Sequence, residues 1–183
     1  MSDIIRQLHT DHINISKLLD LLEREIEMFH NEETPDYALM LDAMRYMVNY
    51  PDLVHHPTED LIFEKLKNRD PDTGAEVDRL TAEHQALADK SAQFLESLRR
   101  IENETTMVSR EAVEAQGVGY ISLLRTHMSK EEGQVFPRAH QALVDDDWLE
   151  IGAALKKQED PVFGEIVAEE HRTLYDWLAS QAE

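Results

Sequence analysis

The sequence predicts an all-α protein: an up-down-up-down four-helix bundle with an additional C-terminal helical extension. Three observations predict it. The apolar residues make up 42% of the 183-residue chain and are mostly Leu, Ile, Met and Ala, a set that leans helical. Only six glycines and six prolines punctuate the chain, so long elements are possible. Apolar residues also recur every three or four positions along four long stretches, the period of one helix face.

The first helix runs from about Asp3 to His30, with Ile5, Leu8, Ile15, Leu19 and Leu22 in its stripe. Asn31 to Pro35 breaks it. The second runs from about Asp36 to Asn68 through Leu41, Met44, Val48, Ile62 and Leu66. Pro51 and Pro57 lie inside it, so a kink or restart is expected there. Arg69 to Gly74 reads as a turn, and the third helix spans about Ala75 to Glu102, with Val77, Leu80, Leu87, Phe94 and Leu98 inward. Ser109 is an N-cap for the fourth, with Glu111 and Glu114 in its first turns. Val113, Gly117, Tyr120 and Leu124 share one face of that helix, which ends near Pro137 or shortly after. Asp145-Asp146-Asp147 caps a short helix to about Lys157, and after Asp160-Pro161 a last helix is expected from about Phe163 to Ser180. The reading is residues 1–142 as the bundle and residues 143–183 as an extension packed on it.

Composition excludes several classes. There is no cysteine, which removes disulfides, thiolate catalysis and cysteine-held iron–sulfur clusters. A formal charge of -20 repels phosphate backbones, so no nucleic-acid partner is expected. No apolar run approaches the roughly 18 residues of a membrane span, and the start Met1-Ser2-Asp3 lacks the pattern of a leader peptide. The expectation is a cytoplasmic protein with no membrane partner, a monomer or homodimer.

The chemistry lies in the histidines. His12 sits in the first stripe, His55 and Glu59 in the second, His84 in the third, and His127 and Glu131 in the fourth. A single histidine on an apolar face is ordinarily a hydrogen-bonded core residue. Four of them, two with a glutamate one turn later, need one explanation. Glutamates are almost never buried unless paired. No Lys or Arg occupies the inner stripe beside either one, so a cation is the natural partner. Axial height agrees. His12 lies about 18 residues before the first helix ends and His55 about 20 into the second, about 27 and 30 Å from their shared loop. His84 lies about 10 residues after the Arg69–Gly74 turn, against about 9–13 for His55 and Glu59, and His84 and His127 each lie about 18 from the third loop. All six residues fall at one level.

His12 within Leu8-His9-Thr10-Asp11-His12, the segment His55-His56-Pro57-Thr58-Glu59-Asp60, His84 within Ala82-Glu83-His84, and His127-Met128-Ser129-Lys130-Glu131-Glu132 resemble the hemerythrin-like proteins, also called HHE cation-binding domains. The resemblance covers about residues 3–140. It implies a four-helix bundle around two non-haem iron ions (zinc or manganese are possible). Glu59 and Glu131 would bridge the metals, and His12, His55, His84 and His127 would be terminal ligands. The implied function is binding or sensing of O2, NO or peroxide. Alternatives are a di-iron oxidase or peroxidase, or an iron-sequestering or sensing module; whether the protein is an enzyme stays open. The chain departs from oxygen-carrying hemerythrins at two points. Those have a second histidine one turn on in the third helix, where this chain has Ala88, and an aspartate five residues after the fourth-helix histidine, where it has Glu131 four after His127. About four protein ligands per ion leave a six-preferring iron with open positions.

The other histidines fit less well. His56 points about 100° from His55 in a regular helix and reads as outlying or exposed. His9 lies on a neighbouring face, His30 and His140 lie near helix ends, and His171 lies outside the bundle.

Overall fold

A computed structural model describes residues 2–31, 33–103, 109–155 and 158–181. Those residues are helical, with turns and no strand. The elements are α1 (Asp3–His30), α2 (Tyr37–Asn49), a π turn (Pro51–His55), α3 (His56–Arg69), a 3-10 turn (Pro71–Thr73), α4 (Gly74–Glu102), α5 (Arg110–Lys130), a second π turn (Glu131–Val135), α6 (Phe136–Ala142), α7 (Asp145–Ala154), a 3-10 turn (Glu169–His171) and α8 (Arg172–Ser180). α2 and α3 form one arm through the first π turn, and α5 and α6 form another through the second. α1 packs on α5 and α2, α4 packs on α2, α3 and α5, and α3 also packs on α6. α7 lies on α3, and α8 lies on α2.

Local chemistry sets the boundaries. Asp36 caps α2 by accepting from Leu39 N at 3.0 Å, and Ser109 caps α5 by accepting from Ala112 N at 3.2 Å, each satisfying a donor that the first turn leaves orphaned. Gly117 permits a close approach. A Cβ there would lie 2.3 Å from Ile26 Cδ1 and 3.0 Å from Phe94 Cζ. α7 starts as expected, with Asp147 accepting from Val144 N at 3.0 Å. It ends at Ala154, and Lys156 and Lys157 lie outside the described residues.

The last helix is shorter than its pattern suggests. From Asp160 to Ala168 the chain turns irregularly, and helix begins only at the 3-10 turn before α8. Asp160 Oδ1 accepts from Val162 N and Phe163 N, both at 2.8 Å, the aspartate turn that competes with helix. Gly164 closes it by donating to Asp160 O at 3.0 Å. A Cβ at Gly164 would sit 2.4 Å from that oxygen. Asp160 Oδ2 also accepts from Tyr46 Oη at 2.8 Å, and His171 Nδ1 lies 2.8 Å from Asp42 Oδ1. Two buried polar residues of α2 are thus satisfied by the C-terminal segment.

The apolar interior is divided in two. One cluster contains Ile15, Leu19, Leu22, Met44, Leu87, Phe94, Tyr120 and Leu124. The other contains Ile5, Leu8, Ile62, Phe63, Val77, Leu80, Val135 and Phe136. On each arm the switch from one cluster to the other falls at a histidine or glutamate.

Candidate metal centre

All six residues singled out in the sequence are buried in this dividing layer: His12, His55, Glu59, His84, His127 and Glu131. Glu59 Oε1 lies 3.4 Å from His12 Nε2 and 3.2 Å from His55 Nε2, while its Oε2 lies 3.5 Å from His84 Nε2. Glu131 Oε1 lies 2.9 Å from His127 Nε2 and 3.5 Å from His84 Nε2, and its Oε2 lies 3.5 Å from His12 Nε2. Each glutamate therefore offers one oxygen to the His12/His55 side and the other to the His84/His127 side.

These approaches lack hydrogen-bond geometry. Among the described residues, nine buried side-chain N or O atoms have no hydrogen-bond partner. Eight of them are the Nε2 atoms of His12, His55, His84 and His127 and both carboxylate oxygens of Glu59 and Glu131. The ninth is Gln116 Oε1, about 16 Å along the α5 axis from His127. Buried polar atoms are satisfied in more than about nine cases in ten, so eight converging exceptions of this chemistry form a layer whose atoms could hold a metal ion.

The opposite ring nitrogens are held by carboxylates. His12 Nδ1 lies 2.8 Å from Glu132, His55 Nδ1 3.1 Å from Asp11, His84 Nδ1 3.0 Å from Asp60, and His127 Nδ1 3.0 Å from Glu83. In neutral imidazole this places the proton on Nδ1 and turns the Nε2 lone pair inward. The pattern is cyclic. The acid next to a histidine or glutamate of the layer on one arm serves the histidine of the next: Asp11 of α1 serves His55, Asp60 of α3 serves His84, Glu83 of α4 serves His127, and Glu132 of the second π turn serves His12.

His56 departs from its helical-wheel placement. It is buried, its ring stacks on His84 at a 4.5 Å centroid distance, and its Nδ1 lies 3.4 Å from Asp52, which also accepts from Ser91 Oγ at 2.7 Å. Donor atoms of His56, Glu59, His84 and His127 lie within 4.8 Å of one another, as do those of His12, His55 and Glu59. The cause is the π turn. Val54 N and His55 N both donate to Tyr50 O, and His56 N donates to Pro51 O. The wider turn admits one extra residue, so His55 and His56 both face the layer. The tandem histidines between Pro51 and Pro57 were the available signal. The second π turn does the same beside Glu131, with Phe136 N donating to Glu131 O. His171, by contrast, is buried against Asp42. His9 and His30 have largely exposed side chains, His140 is exposed, and Tyr120 is buried in the first cluster.

The layer is electrostatically tense. Burial opposes charge on His12, but Glu132 and Glu59 prevail and push its pKa up to about 9. Burial also opposes charge on His55, which Glu59 and Asp11 raise to about 10, and on His84, which Asp60, Glu131 and Glu59 raise to about 11. Burial lowers the pKa of His56. Glu59 is held well below the ordinary carboxylate range against its burial, first by His55 and then by His12. Glu131 is also held low, against burial and the neighbouring Glu59, by His127 and His84. Protons on the imidazoles neutralise the glutamates where metal would otherwise do so.

A donor set of imidazoles and carboxylates without thiolates fits iron, manganese or zinc. Among the described residues no helix is long and apolar enough to cross a membrane. Comparison with curated proteins and with solved structures returns no significant match. The family model described as Hemerythrin HHE cation binding domain matches residues 3–139, a span that contains every residue of the layer. The chain belongs to the hemerythrin HHE cation-binding domain family.

Proposed function

We propose that the protein holds two non-haem iron ions in this layer and uses them to bind or sense a small ligand: O2, NO or peroxide. The observation that carries the reading is the convergence of eight unpartnered buried donor atoms, divided by two glutamates into two groups. His12 and His55 would hold one ion, and His84 and His127, with His56 in reach, the other. Glu59 and Glu131 would bridge them. Bound iron supplies open coordination positions and a change of valence. The protein supplies the rest. Glu132, Asp11, Asp60 and Glu83 fix the imidazoles, and apolar clusters on both sides exclude bulk water.

The uneven count of histidines, two on one side and three on the other, favours ligand binding at the side with fewer protein donors. The contacts around the ring of arms favour an up-down-up-down four-helix arrangement over residues 1–142, with residues 143–183 as an extension laid on α2 and α3. The charge of -20 disfavours a nucleic-acid partner, and the absence of cysteine suits a cytoplasmic setting.

The test is metal analysis and optical spectroscopy of protein from iron-supplied cells. The expected result is about two irons per chain, from one metal pair bridged by two carboxylates, with a ferric absorption band that azide shifts. One iron at saturation, or zinc alone with no iron uptake, would overturn the di-iron reading.

A further inference from the structure

We propose that His9 and Glu132 form the port through which a divalent cation passes from solvent into the buried layer. The inference rests on the metal-centre reading and adds a route to it. Glu132 Oε1 lies 2.8 Å from His12 Nδ1 and 3.1 Å from His9 Nδ1. The side chains are 6% exposed at His12, 35% at Glu132 and 56% at His9. One carboxylate thus joins a surface imidazole to a buried one, and the buried one aims Nε2 at Glu59 and Glu131. Two cavities flank the pair. One of about 400 Å³ is lined by His9, Glu132 and His12, and one of about 300 Å³ is lined by His9, Glu132 and His140.

The other carboxylates around the layer lack this arrangement. Asp11 is buried and accepts from Gln7. Asp52 accepts from Ser91. Glu83 is paired with Lys130 at 2.6 Å, whose ammonium repels a cation. Asp60 is open to solvent, but its outer neighbour is the Thr81 hydroxyl. Arg125, in the wall of the larger cavity, does not oppose a cation because Asp20 and Glu23 neutralise it.

A hydrated divalent ion loses its water at great cost unless ligands replace it stepwise. An imidazole and a carboxylate at the surface supply the first replacements. The charge of -20 brings cations to the surface, and the paired donors select where they enter.

The test follows Co2+ uptake by the metal-free full chain over time, with final metal content measured in parallel. His9→Ala should slow uptake about tenfold, the lower end of what local steering contributes to association rates, while reaching the wild-type content. His9→Asp, which restores a ligating group, should stay within about twofold of wild type. His30→Ala removes a similarly exposed imidazole beside Glu114 and should change nothing. Uptake by His9→Ala at the wild-type rate, or equal slowing by His30→Ala, overturns the port while leaving the metal centre standing. A wild-type chain that takes up no metal overturns both.

Discussion

At the scale of single residues, Glu59 and Glu131 matter most. Each is buried with both carboxylate oxygens lacking a hydrogen-bond partner, and each spans both groups of histidines. Glu59→Ala or Glu131→Ala should therefore remove most of the bound metal rather than one ligand's share, as read by elemental analysis after gel filtration. Full metal content in Glu131→Ala would place the site elsewhere. The outer acids should act more mildly. Asp60→Asn keeps an oxygen near His84 Nδ1 but loses the charge that holds the ring. Metal affinity in a chelator competition should fall about 10–100-fold, and an unchanged affinity would make Asp60 a bystander.

At the scale of elements, the two π turns matter most. Each adds one residue to an arm at the level of the layer. Leu53, in the first, is solvent-exposed, so its deletion removes no core contact. It would convert the π turn to an α turn, in which successive residues stand about 100° apart, so that His55 and His56 cannot both face inward. The variant should stay helical by circular dichroism and lose metal; retained metal would show that the extra residue is dispensable. The C-terminal segment makes the complementary case. His171→Ala would leave Asp42 buried without its imidazole, destabilising the fold by about 1–3 kcal/mol. Metal content should not change, because His171 lies outside the layer. A large loss of metal would mean that the segment shapes the site.

At the scale of the whole molecule, metal and protons would compete for one layer, and the sign follows from the imidazoles. Their ordinary value is 6.5, and folding raises His12, His55 and His84 to about 9, 10 and 11. Groups raised on folding stabilise fully below the unfolded value, and that contribution is lost as pH rises through the folded values. Metal-free protein should therefore melt at progressively lower temperature between about pH 7 and pH 10, as Glu59 and Glu131 lose their counter-charges. Metal supplies charge that does not titrate away. The difference in melting temperature between loaded and metal-free protein should widen as pH rises, and it should shrink in acid, where protons outcompete metal. Thermal melts with and without chelator across this range decide it; superimposable curves at every pH would mean that no metal is held. Loading near neutral pH should also release protons, which a weakly buffered titration records.

The sequence by itself determined the arms and the level of the layer. Stripes such as Ile5, Leu8, His12, Ile15 need only the helical period to be read, and Glu59 and Glu131 declare themselves because carboxylates on an apolar face require a cation. The family was legible for the same reason. Only the tertiary structure decided three further things. It brought His56 inward, because a π turn changes the rotation per residue and no periodic template anticipates it. It assigned Asp11, Asp60, Glu83 and Glu132 to the histidines of neighbouring arms, because such pairings depend on which helices touch. And it replaced the first part of the expected last helix with a turn around Asp160, because that side chain finds backbone donors and Tyr46 in a folded neighbourhood that one-dimensional periodicity does not contain.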